Sequence, residues 1–343
     1  MIENKLKDII PITTPELDCY QNLVASIIQD RGYCVEFLGA VWPWEFTRDS
    51  KRDKELFILV DTEPVNINSL KKIYNIRMEI TFPKDIETAW VDIKNKLDEG
   101  IPVITNFDQF HAHYHYPHIY GKRHGEHAVM LLSYDDQTKL IACVSSIPFY
   151  KGTMHYNQLF MGMQEVSELS YTILVFGDAG LVKSKYNMWS EFHILIENLK
   201  LTYFGSMHQD SENEMIYAPG LKRLLEDLLL QENQQLSENL QTLCSGTWGW
   251  HIDRRCKWTI NFILLFKNKL NEGTISRIVN LLEENNRDWV LVYRFLFKAS
   301  QTLKKSELYN TVERLQHIIE REVNIFDEIL TATDIIKMTE VKQ

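Results

Sequence analysis

Two residues of this chain have the chemistry and the setting of a thiol nucleophile and its base. Asp18-Cys19 stands at the mouth of an amphipathic helix, and Gly125-Glu126-His127 opens an apolar strand far downstream. A helix-borne cysteine with a distant strand-borne histidine is a layout for covalent acyl chemistry. Leu23, Val24, Ile27 and Ile28 recur at helical spacing, while Asn22, Gln29, Asp30 and Arg31 fall elsewhere on the wheel. The spacing predicts a helix that begins near Cys19 and is stopped by Gly32. A thiol in its first turn faces unpaired backbone amides and the positive end of the helix dipole, so Cys19 is expected to lean toward thiolate. The competing structural reading of such a residue is a small buried hydrophobe.

The other concentration of chemistry lies between Asp108 and His127. His111, His113, His115, His118, His124 and His127 fall there, interleaved with Phe110, Tyr114, Tyr116 and Tyr120. In one reading His127 is the general base for Cys19, fixed by the rigid strand Ala128-Val129-Met130-Leu131-Leu132, and Tyr114, His115 and their neighbours line a substrate cleft. In the other, His111, His113 and His115 alternate at strand period and present three imidazoles to one face, with His118 to complete a zinc site. Acidic partners are sparse beside that set, with Asp108 and Glu126 alone in range. The acyl reading is preferred, and no metal is expected. Asp108, ending one strand where His127 begins another, is the preferred residue to orient the imidazole. Trp42-Pro43-Trp44 offers an acyl-binding wall or, as readily, a packed core pair.

These groups need elements to hold them. Up to about residue 180 the chain reads as short strands with turn signals, at Val35–Leu38, Leu56–Val60, Met78–Thr81, Pro102–Phe107, Ala128–Ser133, Leu140–Ser145 and Tyr171–Phe176. A helix over Ile86–Glu99, stopped by Gly100, precedes the Pro102 strand. Beyond residue 180 strand signals give way to helical periodicity from Leu221 to Ile319. The expectation is an α+β catalytic domain over 1–180, with an antiparallel sheet and an N-terminal nucleophile helix, followed by an all-helical domain over 181–343.

Composition sets the context. The 343 residues are 45% hydrophobic with a net charge of -10, enough for large cores and unsuited to a phosphate-backbone partner, so no nucleic acid is expected. No run approaches the roughly 20 apolar residues of a membrane helix, and the first twenty residues lack a secretory pattern. Five scattered cysteines give neither a disulfide framework nor a CxxC site, and a reducing cytoplasm is expected. A Walker-type phosphate loop is missing from the sequence, so acyl activation by ATP is not expected.

Cys19 at a helix start, Gly100-Ile101-Pro102-Val103-Ile104 running into Asp108, Tyr114-His115, and His127-Ala128-Val129 ending in Tyr134-Asp135-Asp136 together resemble the amino-terminal domain of the butirosin biosynthesis protein H family. That family is similar in turn to papain-like and double-glycine leader peptidases. The resemblance covers roughly residues 8–180 and implies a papain-like cysteine acyltransferase of natural-product assembly. It implies that Cys19 takes an acyl chain from the phosphopantetheine thioester of an acyl or peptidyl carrier protein and passes it to a small amine. No other cofactor is implied. The glutamine that such enzymes often carry before the cysteine is replaced here by Pro11-Ile12-Thr13-Thr14-Pro15, which leaves backbone amides near Cys19 to form an oxyanion hole. Ser145-Ser146 stands where relatives place an acidic or amide residue after the next strand, and is the second choice to orient His127. Glu126, beside the base, is expected to steer a cationic acceptor. A peptidase or amidohydrolase using the same pair is the alternative, and a histidine-cluster zinc protein a more distant one.

Overall fold

The computed structural model describes residues 8–40, 42, 44, 46–48, 57–58, 67–177, 185–205, 215–244 and 248–340. The fold is α+β, and the chain packs as two units. One comprises residues 1–35 and 67–182, the other residues 36–66 and 183–343. In chain order the elements are helix α1 (Cys19–Asp30), strands β1 (Phe46–Arg48) and β2 (Phe57–Ile58), α2 (Ile67–Tyr74), β3 (Ile76–Thr81), α3 (Ile86–Asp98), β4 (Val103–Asp108), β5 (Glu126–Asp135), β6 (Leu140–Ser145), β7 (Tyr150–His155), α4 (Tyr156–Gln164) and β8 (Tyr171–Phe176). There follow α5 (Lys185–Gly205), β9 (Met215–Ile216), α6 (Ala218–Leu229), α7 (Asn233–Cys244), α8 (Trp248–Leu264), α9 (Glu272–Thr302) and α10 (Lys305–Glu340).

The first unit is built on a six-stranded sheet of order β3-β8-β4-β5-β6-β7, antiparallel at every pairing. The central strand β5 is buried along most of its length, which is why Ala128 to Leu132 reads as a continuous apolar run. α3 and α4 cover one face and share a core with it: Ile93 and Leu97 of α3, Leu159 and Met163 of α4, and Phe107, Val129 and Leu131 of the sheet. Gly162 makes the closest approach possible, because a Cβ there would lie 2.2 Å from the Phe107 ring. α1 packs along β5, bringing its first residue to the end of that strand that carries His127.

α1 starts where expected. The Asp18 carboxylate accepts from the Gln21 N–H at 2.7 Å and the Gln21 side chain accepts from the Asp18 N–H at 3.2 Å, a reciprocal capping box. Gly32, at φ +82°, follows its last turn. Asn22, read as lying off the apolar face, is fully buried. Its carboxamide donates to the carbonyls of Thr14, Leu17 and Asp18, all at 3.0 Å, and accepts from the Thr14 N–H. One polar side chain thereby holds the segment that leads into Cys19.

One expected strand departs from the sequence reading. Val35–Leu38 is not a strand but part of a 3-10 turn over Val35–Gly39. The expected strand at 56–60 has only Phe57–Ile58 within the described residues. The two units do not follow a single division near residue 180, since residues 36–66 group with the second. Trp42 is the reason on view: its indole is fully buried, 5.1 Å from the Trp44 ring and 4.8 Å from Phe326 of α10. In that second unit α9 and α10 pack against each other, and a small three-stranded sheet of order β2-β1-β9 completes it.

Candidate active site

The site assembles from α1, the first residues of β5, the end of β6 and the loop between β4 and β5. The Cys19 thiol meets the backbone N–H of Ala128, the residue after His127. His127 is buried, and its Nε2 lies 2.9 Å from Ser145 Oγ. The next residue, Ser146, donates its hydroxyl to the Cys19 carbonyl at 3.0 Å. Two consecutive serines at the end of β6 therefore hold the base with one side chain and the nucleophile's backbone with the other.

Register explains why Ser145, and not Asp108, holds the imidazole. In the β4–β5 pair Phe107 stands opposite His127 and Asp108 opposite Glu126. Successive side chains on a strand point to opposite sides, so Asp108 is one residue out of phase with His127. Its carboxylate goes elsewhere: Oδ1 accepts from the Phe110 and Gly125 N–H groups at 2.9 and 3.1 Å, and Oδ2 lies 2.8 Å from His124 Nδ1. The expected Asp108–His127 contact is thus corrected to Ser145–His127. Glu126 shares the Asp108 phase, is exposed, and its carboxylate accepts from the Ser167 hydroxyl, so the structure does not bring it to the base. Trp42 belongs to the core of the second unit.

Tyr114 and His115 are brought to the base. The His115 ring lies 5.5 Å from that of His127, edge to face. The buried Tyr114 phenol lies beside Ser145, and its ring stacks on Tyr150 with centroids 4.2 Å apart. The other histidines do not form the three-imidazole face that strand alternation implied, because Gln109–His111 is a 3-10 turn and residues 112–125 are loop. His111 Nε2 pairs with Glu165, His113 Nε2 with the Tyr150 hydroxyl at 3.1 Å, and the His118 ring stacks on Tyr116.

The electrostatics differ from those of a preformed ion pair. Burial and the adjacent Asp18 carboxylate push the Cys19 thiol above its ordinary 9.0, against hydrogen bonds from the Ala128, Tyr20 and Cys19 amides. The capping residue that starts the helix thus opposes the dipole argument for a thiolate. Burial, with the His115 charge, lowers His127 to about 3. At neutral pH the pair rests as thiol and neutral imidazole, so the imidazole takes the thiol proton as the sulfur attacks. Among the neighbouring groups, burial holds the Tyr114 phenol far above its usual range and the hydroxyl stays a donor. Ser145 is the functional residue that local pattern reading ranked second. Its signal was position alone, at the end of the strand that pairs with the His127 strand.

Residues 18–144 match the family model described as butirosin biosynthesis protein H, N-terminal. The match begins at the capping residue of α1 and runs to the residue before Ser145. Residues 18–144 are therefore similar to the N-terminal domain of that family. No curated protein matches it.

Proposed function

From the match of residues 18–144 to the butirosin biosynthesis protein H N-terminal domain, which suggests a biosynthetic enzyme, we propose that the chain is a papain-like cysteine acyltransferase that forms amides. The observation that carries the reading is the convergence of the Cys19 thiol, the Ala128 N–H and a buried His127 held at Nε2 by Ser145. The acyl donor is a thioester on the phosphopantetheine arm of a carrier protein, and the acceptor is a small amine.

Cys19 Sγ attacks the thioester carbonyl while His127 Nδ1 takes its proton. The tetrahedral oxyanion is favoured by backbone N–H groups at the start of α1 and β5. Collapse breaks the donor C–S bond, and His127 returns the proton to the departing phosphopantetheine thiol. An amine then attacks the Cys19 thioester, gives its proton to His127, and the amide leaves as Cys19 is reprotonated. Exchange between thioesters is nearly balanced and aminolysis runs downhill, so the sequence needs no other energy source. The stacked Tyr114 and Tyr150 rings, with Ile147 and the exposed Phe149 on the turn after Ser146, offer apolar surface to an acyl chain. They also reduce the access of competing water. The net charge of -10 suits a cationic acceptor.

The test is intact-protein mass after incubation with acyl-carrier thioesters, followed by a diamine. The expected result is a single acyl adduct on Cys19, missing in Cys19→Ala and His127→Ala, and discharged as amide. Release of free acid across a panel of amines identifies a hydrolase instead, and the lack of any adduct overturns the cysteine mechanism.

A further inference from the structure

Where β4 ends, three potential ligand atoms converge that the acyl chemistry does not use. Asp108 Oδ2, His124 Nδ1 and Glu165 Oε2 all lie within 4.8 Å of one another, with Nδ1 2.8 Å from the first oxygen and 3.5 Å from the second. Asp108 and His124 are held from behind, and the Glu165 ligand oxygen already has a histidine partner. The second oxygen of Asp108 is taken by the Phe110 and Gly125 N–H groups, the His124 ring stacks on Phe110 at 4.4 Å and 3°, and Glu165 Oε2 lies 2.8 Å from His111 Nε2. Such supports are what orient the ligands of a metal.

The geometry points to a divalent transition-metal site of the zinc class, ligated by Asp108, His124 and Glu165. Metal–ligand bonds of about 2.0–2.2 Å in a tetrahedron separate the ligand atoms by roughly 3.3–3.6 Å; the His124–Glu165 separation of 3.5 Å falls in that range, and the His124–Asp108 separation of 2.8 Å has to open by roughly 0.5 Å to reach it. A proton on Nδ1 points at one carboxylate and leaves the other at 3.5 Å, whereas a cation at the centre meets all three. Two carboxylates and a neutral imidazole carry two negative charges, which a dication balances. The imidazole binds through Nδ1 and keeps its proton on Nε2. Nitrogen in the set disfavours magnesium and calcium, which take oxygen ligands. Asp108 ends β4, His124 ends the loop that carries Tyr114 and His115, and Glu165 caps the end of α4. The ion therefore braces the loop beside His127 without touching the reacting atoms. The residues differ from the set that sequence alternation suggested, sharing none of His111, His113, His115 and His118 as direct ligands.

The experiment uses the full chain carrying Cys19→Ser, so that the nucleophile supplies no thiolate to the metal. After chelator treatment, zinc chloride is titrated by calorimetry and cobalt by absorption. The expected result is one saturable equivalent, a cobalt spectrum without thiolate charge transfer, and at least 10-fold weaker binding in His124→Ala and in Glu165→Gln. His124 is largely exposed and Glu165 partly so, so these variants keep the fold, and His118→Ala serves as the control outside the cluster. His111→Ala, which frees the Glu165 oxygen, loosens binding about 10-fold. No saturable binding, or affinity unchanged in His124→Ala and Glu165→Gln, overturns the site.

Discussion

Replacing Ser145 with alanine removes the side-chain hydrogen bond to the base. In the tautomer that leaves Nδ1 ready to accept a proton, His127 Nε2–H donates to Ser145 Oγ at 2.9 Å, between two buried groups. A neutral hydrogen bond of this kind is worth about 0.5–1.5 kcal/mol, and one to a charged group about 1.5–3 kcal/mol. The difference, roughly 1–1.5 kcal/mol, is realised only when the imidazole becomes imidazolium in the transition state, and corresponds to about 10-fold in rate. Loss of ring orientation adds to it, so acylation in Ser145→Ala is expected to fall by about 10- to 100-fold. The fall belongs in kcat with KM little changed, because no substrate contact is removed. Single-turnover acylation of Cys19, quenched and read by intact mass, gives the rate constant, and Ser145→Thr restores most of it. Ser145→Ala within about twofold of the parent refutes the assignment.

Other outcomes follow from the same structure. Because His127 is lowered to about 3 and the Cys19 thiol is raised, acylation should stay level from about pH 5 to pH 8 and fall only as His127 protonates near pH 3; an acid limb near pH 6.5 contradicts this. Alkylation of Cys19 by iodoacetamide at pH 7 should be slower than that of a free cysteine, since its thiolate fraction is smaller. In the second unit Glu322 is fully buried among donors from Tyr203, Trp289 and Asn285, and burial raises it from 4.5 to about 7. The folded state binds its proton more tightly than the unfolded state, so the stabilisation is present below pH 4.5 and is lost as pH rises through 7. The change is about 3 kcal/mol by linkage. Urea unfolding at pH 5 and pH 8 should show it in the parent chain, and a slope unchanged in Glu322→Gln rejects it. Gly162→Val forces a side chain into the Phe107 ring and should destabilise the first unit by about 1–3 kcal/mol in chemical denaturation, with a midpoint equal to the parent's as the contrary result.

Elements with a clean period were legible from the residues: α1 from its apolar spacing and the Gly32 stop, α3 from its spacing and the Gly100 stop, β6 and β8 to their end residues. β7 was hidden because Lys151 and Gly152 interrupt its pattern, and α4 because it follows without a turn. The pair Cys19 and His127 was visible from residue type and setting. Its partner was not, because which side of a strand a residue faces depends on pairing register, and a shift of one position separates Asp108 from His127. The histidines misled for a related reason. Alternation in the sequence means one face only if the chain is extended, and from Gln109 it turns into a 3-10 helix. Asn22 was misread because burial of an amide is decided by its partners, which lie in the segment before the helix.

The Ser145-Ser146 clasp joins segments that are adjacent only when the sheet is complete and α1 has docked on it. Helix α1 can form locally, and β5 and β6 can pair as neighbours, yet neither event creates the catalytic arrangement. Competence arrives with closure of the long loop between residue 19 and the β6 end, a step that entropy places late in folding. In refolding, recovery of activity should therefore lag the return of helical signal. In heating, undocking of α1 silences the enzyme while most of the sheet still stands, making turnover a more sensitive gauge of the first unit's integrity than its secondary structure.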